Sequence, residues 1–352
     1  MRSDHRIALG WCGPPQHGIP RLARQIADAA KDLGFAGTVV AEPDPARVAT
    51  VLDRLPPGVR VLHLHVNDWL FADAAADADA AVTALVRNAH ARGVAITMTL
   101  HDLPWPSDEP ELYRRRARTY RMLVDAAAGT VVSSEHEREL LRAATGVDAV
   151  TVIPLPIDPM VDHRSPAPAD PARRPTVAIF GYLYPGKGHR ELLDDLAGGQ
   201  YPVDVLAIGR PSDRHGELVH DLTRVAARQG MSFSCTGYVA DADLAVRLRA
   251  AVIPVAPHTH ISASGSINSW IAAGRRPLVP AGRYADELDR RMPGAVWIYQ
   301  PGELPGAVAR AVENPSLTWL PSDVVVGPTT ASVAGTYLGW LRRISFADDG
   351  GG

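Results

Sequence analysis

Two runs of short apolar segments alternating with amphipathic helical segments, separated by a stretch with neither pattern, restrict most strongly how this 352-residue chain folds. In the first run the strand candidates are Ile7 to Trp11, Gly37 to Ala41, Val59 to Val66, Ala95 to Leu100, Gly129 to Ser133 and Val150 to Ile153. Helical segments alternate with them: Arg21 to Leu33, Ala75 to Arg92, Glu111 to Ala127 and Glu135 to Ala144. A strand followed by a helix and another strand pairs in parallel, because the helix carries the chain back to the starting edge of the sheet. Such strands are covered on both faces and read as continuous apolar runs.

After Ile157 the text becomes DPMVDHRSPAPADPARRP, crowded with Pro, Asp and Ala, which reads as a linker. The alternation restarts at Thr176 to Phe180 and continues through Val203 to Gly209, Ser232 to Thr236, Ala251 to Val255 and Pro277 to Val279, with helices near Arg190, Glu217, Ala242 and Ser266. The expected organisation is an N-terminal domain over 1–157, a linker over 158–174, a C-terminal domain over 175–328 and a last helix within 329–346. That helix carries Val333, Tyr337 and Trp340 on or near one face, suited either to its own domain or to a return onto the first. The fold class is α/β, with two Rossmann-like, doubly wound parallel sheets.

Composition narrows the function classes. A net charge of −3 gives no field to recruit nucleic acid or an anionic membrane. The two cysteines, Cys12 and Cys235, lack the spacing of a disulfide framework or zinc site. No apolar run reaches the roughly 18 residues of a membrane span, and the first residues lack a signal-peptide core, so a cytoplasmic protein is expected. Plentiful Ala, Arg and Asp with few Lys is the bias of a GC-rich bacterial genome.

The densest chemical signal is FGYLYPGKGHRELLDDL, 180–196: a strand end, a glycine turn carrying Lys187, then a helix. Glycine lets the backbone approach a ligand, a helix start offers N–H groups to anions, and Lys187 adds a charge, a combination suited to a diphosphate. The alternative is an ordinary turn with a solvated lysine. The segment matches neither the dinucleotide nor the P-loop glycine pattern. It resembles instead the "G-x-L-x-x-x-K-G" stretch that opens the C-terminal domain of family-four retaining glycosyltransferases. In that family an arginine follows the first glycine and, with the lysine, neutralises the donor pyrophosphate. Here Gly181 is followed by Tyr182, so the resemblance carries over Lys187 and leaves the arginine's place to Arg190 or Arg210.

A second segment, 237–280, resembles the family's run from "tGyv" to "aaG-PvV". Many members carry two glutamates there, one near the reacting sugar and one on the ribose. The matching positions here are His260 or Ile261, and Ser269. What remains is a small-residue loop, Ser262 to Ser266, whose Ser264, Gly265 and Ser266 open a helix and are expected either to hold a phosphate or simply to cap the helix.

In the first domain, TMTLHDLPWP places His101 and Asp102 at a strand's carboxyl end, where ligands of open α/β sheets gather. Asp102 is positioned to fix the tautomer of His101. A family "t-l-H-D" resembles this stretch and implies that His101 contacts the donor sugar. The loop GWCGPPQHGIPRLARQI resembles the family's first glycine loop, with Gly13 and Gly18 open to a phosphate and His17, Arg21 and Arg24 nearby. HLHVND, 63–68, and VVSSEHERELL, 131–141, match family strand ends without an assigned role, and Ser134 with Glu137 has capping-box spacing. Two Asp-x-Asp strings, Asp77 to Asp79 and Asp241 to Asp243, lie in polar helical text and read as solvated faces, so no metal is called for.

The resemblance thus implies a GT-B fold, two domains facing a cleft, and a retaining hexosyltransferase that needs no metal or other cofactor. Its partners would be a nucleotide-sugar donor, GDP-mannose first by family frequency (a mannosyltransferase) and UDP-glucose next, and a glycan or small-molecule acceptor. Two rivals stand beside it: a catalytically silent nucleotide-sugar or glycan-binding protein, and an inverting transferase or epimerase with Asp102 as its base.

Overall fold

The computed structural model describes residues 4–15, 17–72, 78–160, 174–213, 215–258 and 260–347. The chain divides into two compact units, Met1–Pro156 with Pro328–Gly352, and Ile157–Gly327. The expected linker at 158–174 lies largely outside the described residues, which resume at Arg174.

The first unit contains β1 (Ile7–Cys12), α1 (Gly18–Asp32), β2 (Thr38–Glu42), a 3-10 segment (Pro45–Arg54), β3 (Val61–Val66), α2 (Trp69–Ala72), α3 (Ala78–Ala91), β4 (Ala95–Leu100), α4 (Pro110–Ala126), β5 (Gly129–Val132), α5 (Glu135–Thr145) and β6 (Thr151–Val152). All six strands run parallel in the order β2-β1-β3-β4-β5-β6. The order reverses between β1 and β3, so the loops leaving their carboxyl ends diverge and open a crevice. α1 begins at Gly18, three residues before the expected start, so Gly18 is a helical residue rather than a loop glycine. Ser134 caps α5 by accepting from Glu137 N–H at 2.8 Å. The returning Glu137 carboxylate accepts from Ser133 N–H, one residue earlier than the capping-box spacing implies.

The second unit contains β7 (Thr176–Phe180), α6 (His189–Leu196), β8 (Asp204–Ile208), α7 (Leu218–Arg228), β9 (Phe233–Cys235), α8 (Asp241–Ala250), β10 (Ile253–Val255), α9 (Gly265–Ala272), β11 (Leu278–Pro280), α10 (Arg283–Arg291), β12 (Trp297–Tyr299) and α11 (Leu304–Glu313). Its six parallel strands follow the order β12-β11-β10-β7-β8-β9, with the reversal between β7 and β10. Arg275, only 1% exposed, ties this unit together. It donates to the carbonyls of Arg249, Ala251, Val252 and Thr318 and to the Thr318 hydroxyl, and stacks 4.3 Å from the Trp319 ring centre. Asp241 and Asp243 sit in the first turn of α8 and Asp79 in that of α3, while Asp77 lies outside the described residues.

The last helix, α12 (Thr330–Ala347), belongs to the first unit. Val333, Ala334, Tyr337, Leu338, Trp340 and Leu341 bury one face of it in a cluster with Ile7, Leu9, Ile26, Val61 and Val131. Arg342 then pairs bidentately with the buried carboxylate of Asp4 at 2.8 Å. Gly129, at the start of β5, permits the close approach of this helix: a Cβ there would lie 2.8 Å from Ile344 Cδ1 and 2.9 Å from Trp340 Cζ2. Gly129→Ala is therefore expected to destabilise the protein by about 1–3 kcal/mol through overpacking, measured by chemical denaturation.

Candidate functional site

In the second unit, the chain leaves β7 through Gly181 (φ +120°) and returns into α6 through Gly188 (φ +90°). Between them Lys187 folds back so that its ammonium donates to Ser266 Oγ at 3.0 Å. A Cβ at Gly181 would meet Lys187 Nζ at 3.5 Å, so the glycine makes room for that side chain. Gly188 packs against the backbone of Pro257 and His258 at the end of β10, where a Cβ would come within 2.9 Å. Ser264 is the N-cap of α9, accepting from Ile267 N–H at 3.3 Å, and its hydroxyl lies 3.1 Å from that of Ser266. The expected diphosphate residues Lys187, Gly181, Ser264, Gly265 and Ser266 thus converge where the strand order reverses, and capping and clustering coexist.

Lys187 is buried and no carboxylate among the described residues faces it; loss of hydration alone pushes its pKa down to about 8. The cluster also holds His258, which the sequence reading passed over. It lies beyond the end of β10, with Nε2 3.5 Å from Ser264 Oγ and Nδ1 buried without a hydrogen-bond partner. Burial, reinforced by Lys187, holds it neutral. Its signal in the sequence is only a histidine three residues after an apolar run.

The proposed arginine substitutes are engaged elsewhere. Arg210 pairs with Asp213 at 2.6 Å and lies 5.2 Å from the Tyr182 ring centre. Arg190 is on the exposed side of α6; the Asp221 carboxyl on α7, lowered chiefly by its hydrogen bond to Arg224, feels the Arg190 charge only weakly. His260 is exposed. Ser269 donates to the Gly265 carbonyl within α9 at 2.8 Å.

In the first unit, the ends of β1, β3 and β4 bring together His17, Asn67, Asp68, Trp69, His101 and Asp102. His17, just before α1, stacks on Trp69 at 5.3 Å between ring centres. Asp102 has φ +51° and is the one non-glycine residue with positive φ among the described residues. Its strained backbone is held from both sides: Tyr120 OH donates to the carbonyls of His101 and Asp102, and Arg116 donates to the Asp102 carbonyl while pairing with Asp68 and Asp108. The Asp102 carboxylate accepts from Asn67 Nδ2 at 2.8 Å. The expectation that Asp102 fixes the His101 ring is therefore corrected: the group at hydrogen-bond distance is His65, whose Nδ1 lies 3.1 Å from His101 Nε2. Two hollows, lined by Arg174, Asp204 and Ser232 and by Leu55 to Arg60, open at the amino ends of the strands and gather no such chemistry.

Two parallel α/β sheets with polar clusters at their reversal points define the GT-B glycosyltransferase fold. The model of Glycosyltransferase Family 4 matches residues 17–160, most of the first unit and the first residues of the second. HepE of Anabaena, solved with UDP-glucose, aligns over 98% of this chain and 100% of its own, with a TM-score of 0.66 at 15% identity. Sucrose-phosphate synthase from Thermosynechococcus elongatus aligns over 97% and 100%, at 0.67 and 15%. AviGT4, a glycosyltransferase involved in avilamycin A biosynthesis, aligns over 97% and 98%, at 0.58 and 15%. No curated protein matches the sequence. The chain is thus GT-B in fold, and residues 17–160 are similar to family four.

Buried neutral histidines run through both units. Burial pushes His101 down to about 4, and His63 and His189 down to about 3, from an ordinary value of 6.5. Between those values the unfolded chain binds protons that the folded one refuses, so stability is complete above about pH 7 and falls as pH drops. Each such histidine is expected to cost about 2 kcal/mol by pH 5. Denaturation at a series of pH values checks this, and His189→Leu, which removes two unpartnered buried nitrogens, should make the slope shallower.

Proposed function

We propose that this protein is a glycosyltransferase that moves a hexose from a nucleoside-diphosphate sugar to a glycan or small-molecule acceptor with retention of anomeric configuration. The observation that carries the reading is Lys187, a buried ammonium without a facing carboxylate among the described residues, hydrogen-bonded to a serine in the first turn of α9. Burying a lone cation is costly, and an anionic ligand recovers that cost. As the anomeric C–O bond breaks, its electron pair goes to the diphosphate oxygen. Lys187, Ser264, Ser266 and the free N–H groups of α9 stabilise that charge. The acceptor oxygen forms the new bond on the same face and loses its proton to the departing diphosphate. His101 is assigned to the hexose.

The positive charge in this scheme comes from the chain, so turnover should persist in a metal chelator. GDP-mannose and UDP-glucose are the first donors to test, the second because it is what HepE holds. The free thiols of Cys12 and Cys235 suit a reducing cytoplasm, and among the described residues no helix is long and apolar enough to cross a membrane. Tyr182 and Ser269, standing where the family has Arg and Glu, favour one rival, a binding protein that takes up the same ligand without turning it over.

Thermal melting with GDP, UDP, ADP and their sugar conjugates, with and without Mg²⁺, tests the reading. One diphosphate at a hundredfold excess over Kd should stabilise by about 2.7 kcal/mol without metal, and no shift in any condition removes the reading's support. Lys187→Met keeps the side-chain volume and removes the charge. Its turnover should drop about 10²–10³-fold while its melting temperature holds or rises. Diphosphate binding without turnover by the unmutated protein selects the binding-protein rival.

A further inference from the structure

We infer that His65 is the positioning residue for His101, locking which ring nitrogen His101 presents to its ligand, and that the rings of His63 and Tyr337, themselves joined through Thr99, pack against His65 and brace it. The inference rests on the assignment of His101 to the reacting sugar.

β3 and β4 are neighbours, with His63 opposite Thr97 and His65 opposite Thr99. Side chains two apart on a strand share a face, so His63 and His65 on β3 meet Thr97 and Thr99 on β4, with His101 following in step. The two histidines of β3 differ in what occupies them. His63 is closed, with Nδ1 3.0 Å from Thr97 Oγ1 and Nε2 3.0 Å from Thr99 Oγ1. Thr99 Oγ1 in turn lies 2.9 Å from Tyr337 OH. The Tyr337 ring packs 5.2 Å from that of His63 and 5.7 Å from that of His65, fixing both from above the sheet.

His65 is directed toward the site. Its Nδ1 reaches His101 Nε2 at 3.1 Å and its ring stacks on that of His101 at 5.4 Å. Both rings are neutral because burial disfavours their charged forms. A hydrogen bond between two neutral imidazoles holds one proton between the facing nitrogens, so the tautomer of either ring dictates that of the other. His101 Nε2 is thereby consumed, and Nδ1 is the ring nitrogen left to a ligand. Without His65 the ring is free to flip and to exchange tautomers. β3 is otherwise apolar, and a histidine in its buried middle is costlier than Val or Leu unless its hydrogen bond has a use.

Three variants and one spectrum test this. His65→Asn places an amide where Nδ1 stands, His65→Gln places it where Nε2 stands, and His65→Phe fills the volume without a hydrogen bond. His65→Phe should lower kcat about 10–100-fold with donor KM nearly unchanged, while His65→Asn stays close to the unmutated enzyme. Nitrogen NMR of labelled histidine should show His101 as one tautomer in the unmutated protein and a mixture in His65→Phe. If His65→Phe does not fold, Asn against Gln decides: Asn active and Gln impaired supports the inference, and equal activities overturn it. Unmutated kcat in His65→Phe beside an inactive His101→Phe also overturns it, while leaving the proposed function standing. If His101→Phe turns over normally, the assignment of His101 to the sugar falls, and the tautomer spectrum alone then decides whether His65 positions it.

Discussion

Each unit depends on one parallel strand pair from which the chain winds outward in opposite directions, β1 with β3 in the first and β7 with β10 in the second. Helices leaving two such neighbouring strands cover opposite faces, so neither loop closes over the strand ends between them. Polar side chains placed there remain addressable although they stand on a buried scaffold. The glycines Gly181 and Gly188 exploit that gap with positive φ, which turns the chain sharply enough for Lys187 to lie over the end of its own strand.

Arg275 and Lys187 show how burial separates structural charge from functional charge within one unit. Arg275 is saturated: carbonyls at the ends of α8 and β10 and in the segment before Trp319 accept from its guanidinium, leaving nothing to offer a ligand. Lys187 is also buried but has one hydroxyl as its hydrogen-bond partner; burial lowers the pKa of both cations, so it is the partners that distinguish them. A fold that only needed to be stable would pair that ammonium or replace it. Leaving it under-satisfied beside the first turn of α9 makes sense if an anion completes the site.

The sequence made the sheets legible because parallel strands, covered on both faces, write their burial as unbroken apolar runs. Thr176 to Phe180 and Ala95 to Leu100 were read to the residue. β12 and its flanking helices α10 and α11 were not anticipated, since a three-residue strand carries little periodic signal and α11 opens with Pro305 and Gly306, which disguise a helix. In the site, Lys187, Ser264 and Ser266 were visible because glycine turns and helix caps are local in sequence. His65 and His258 were not, because their significance comes from partners on other strands or loops: His101 lies 36 residues from His65 and Ser264 lies across a loop from His258. Asp102 was misread for the same reason, adjacency in the chain being taken for contact although its carboxylate turns to Asn67.

The two clusters differ in the electrostatics they offer, and the difference suits the proposed transfer. A departing diphosphate gathers negative charge and calls for a cation and oriented N–H groups, which the second unit supplies. The anomeric carbon gathers positive charge as the same bond breaks, and if His101 serves the hexose as proposed, its protonated form would oppose the reaction. Burial keeps His101 neutral throughout the physiological range, and its hydrogen bond to a second neutral histidine adds no charge. The histidine ladder beneath it, tied through Thr99 to Tyr337, is thus an uncharged way to orient a polar ring in a dry place, where an aspartate partner would have drawn a proton onto the ring. The Asp102 carboxylate instead accepts from Asn67, on a backbone kept at positive φ by Tyr120 and Arg116, and its charge favours the protonated ring less than burial disfavours it.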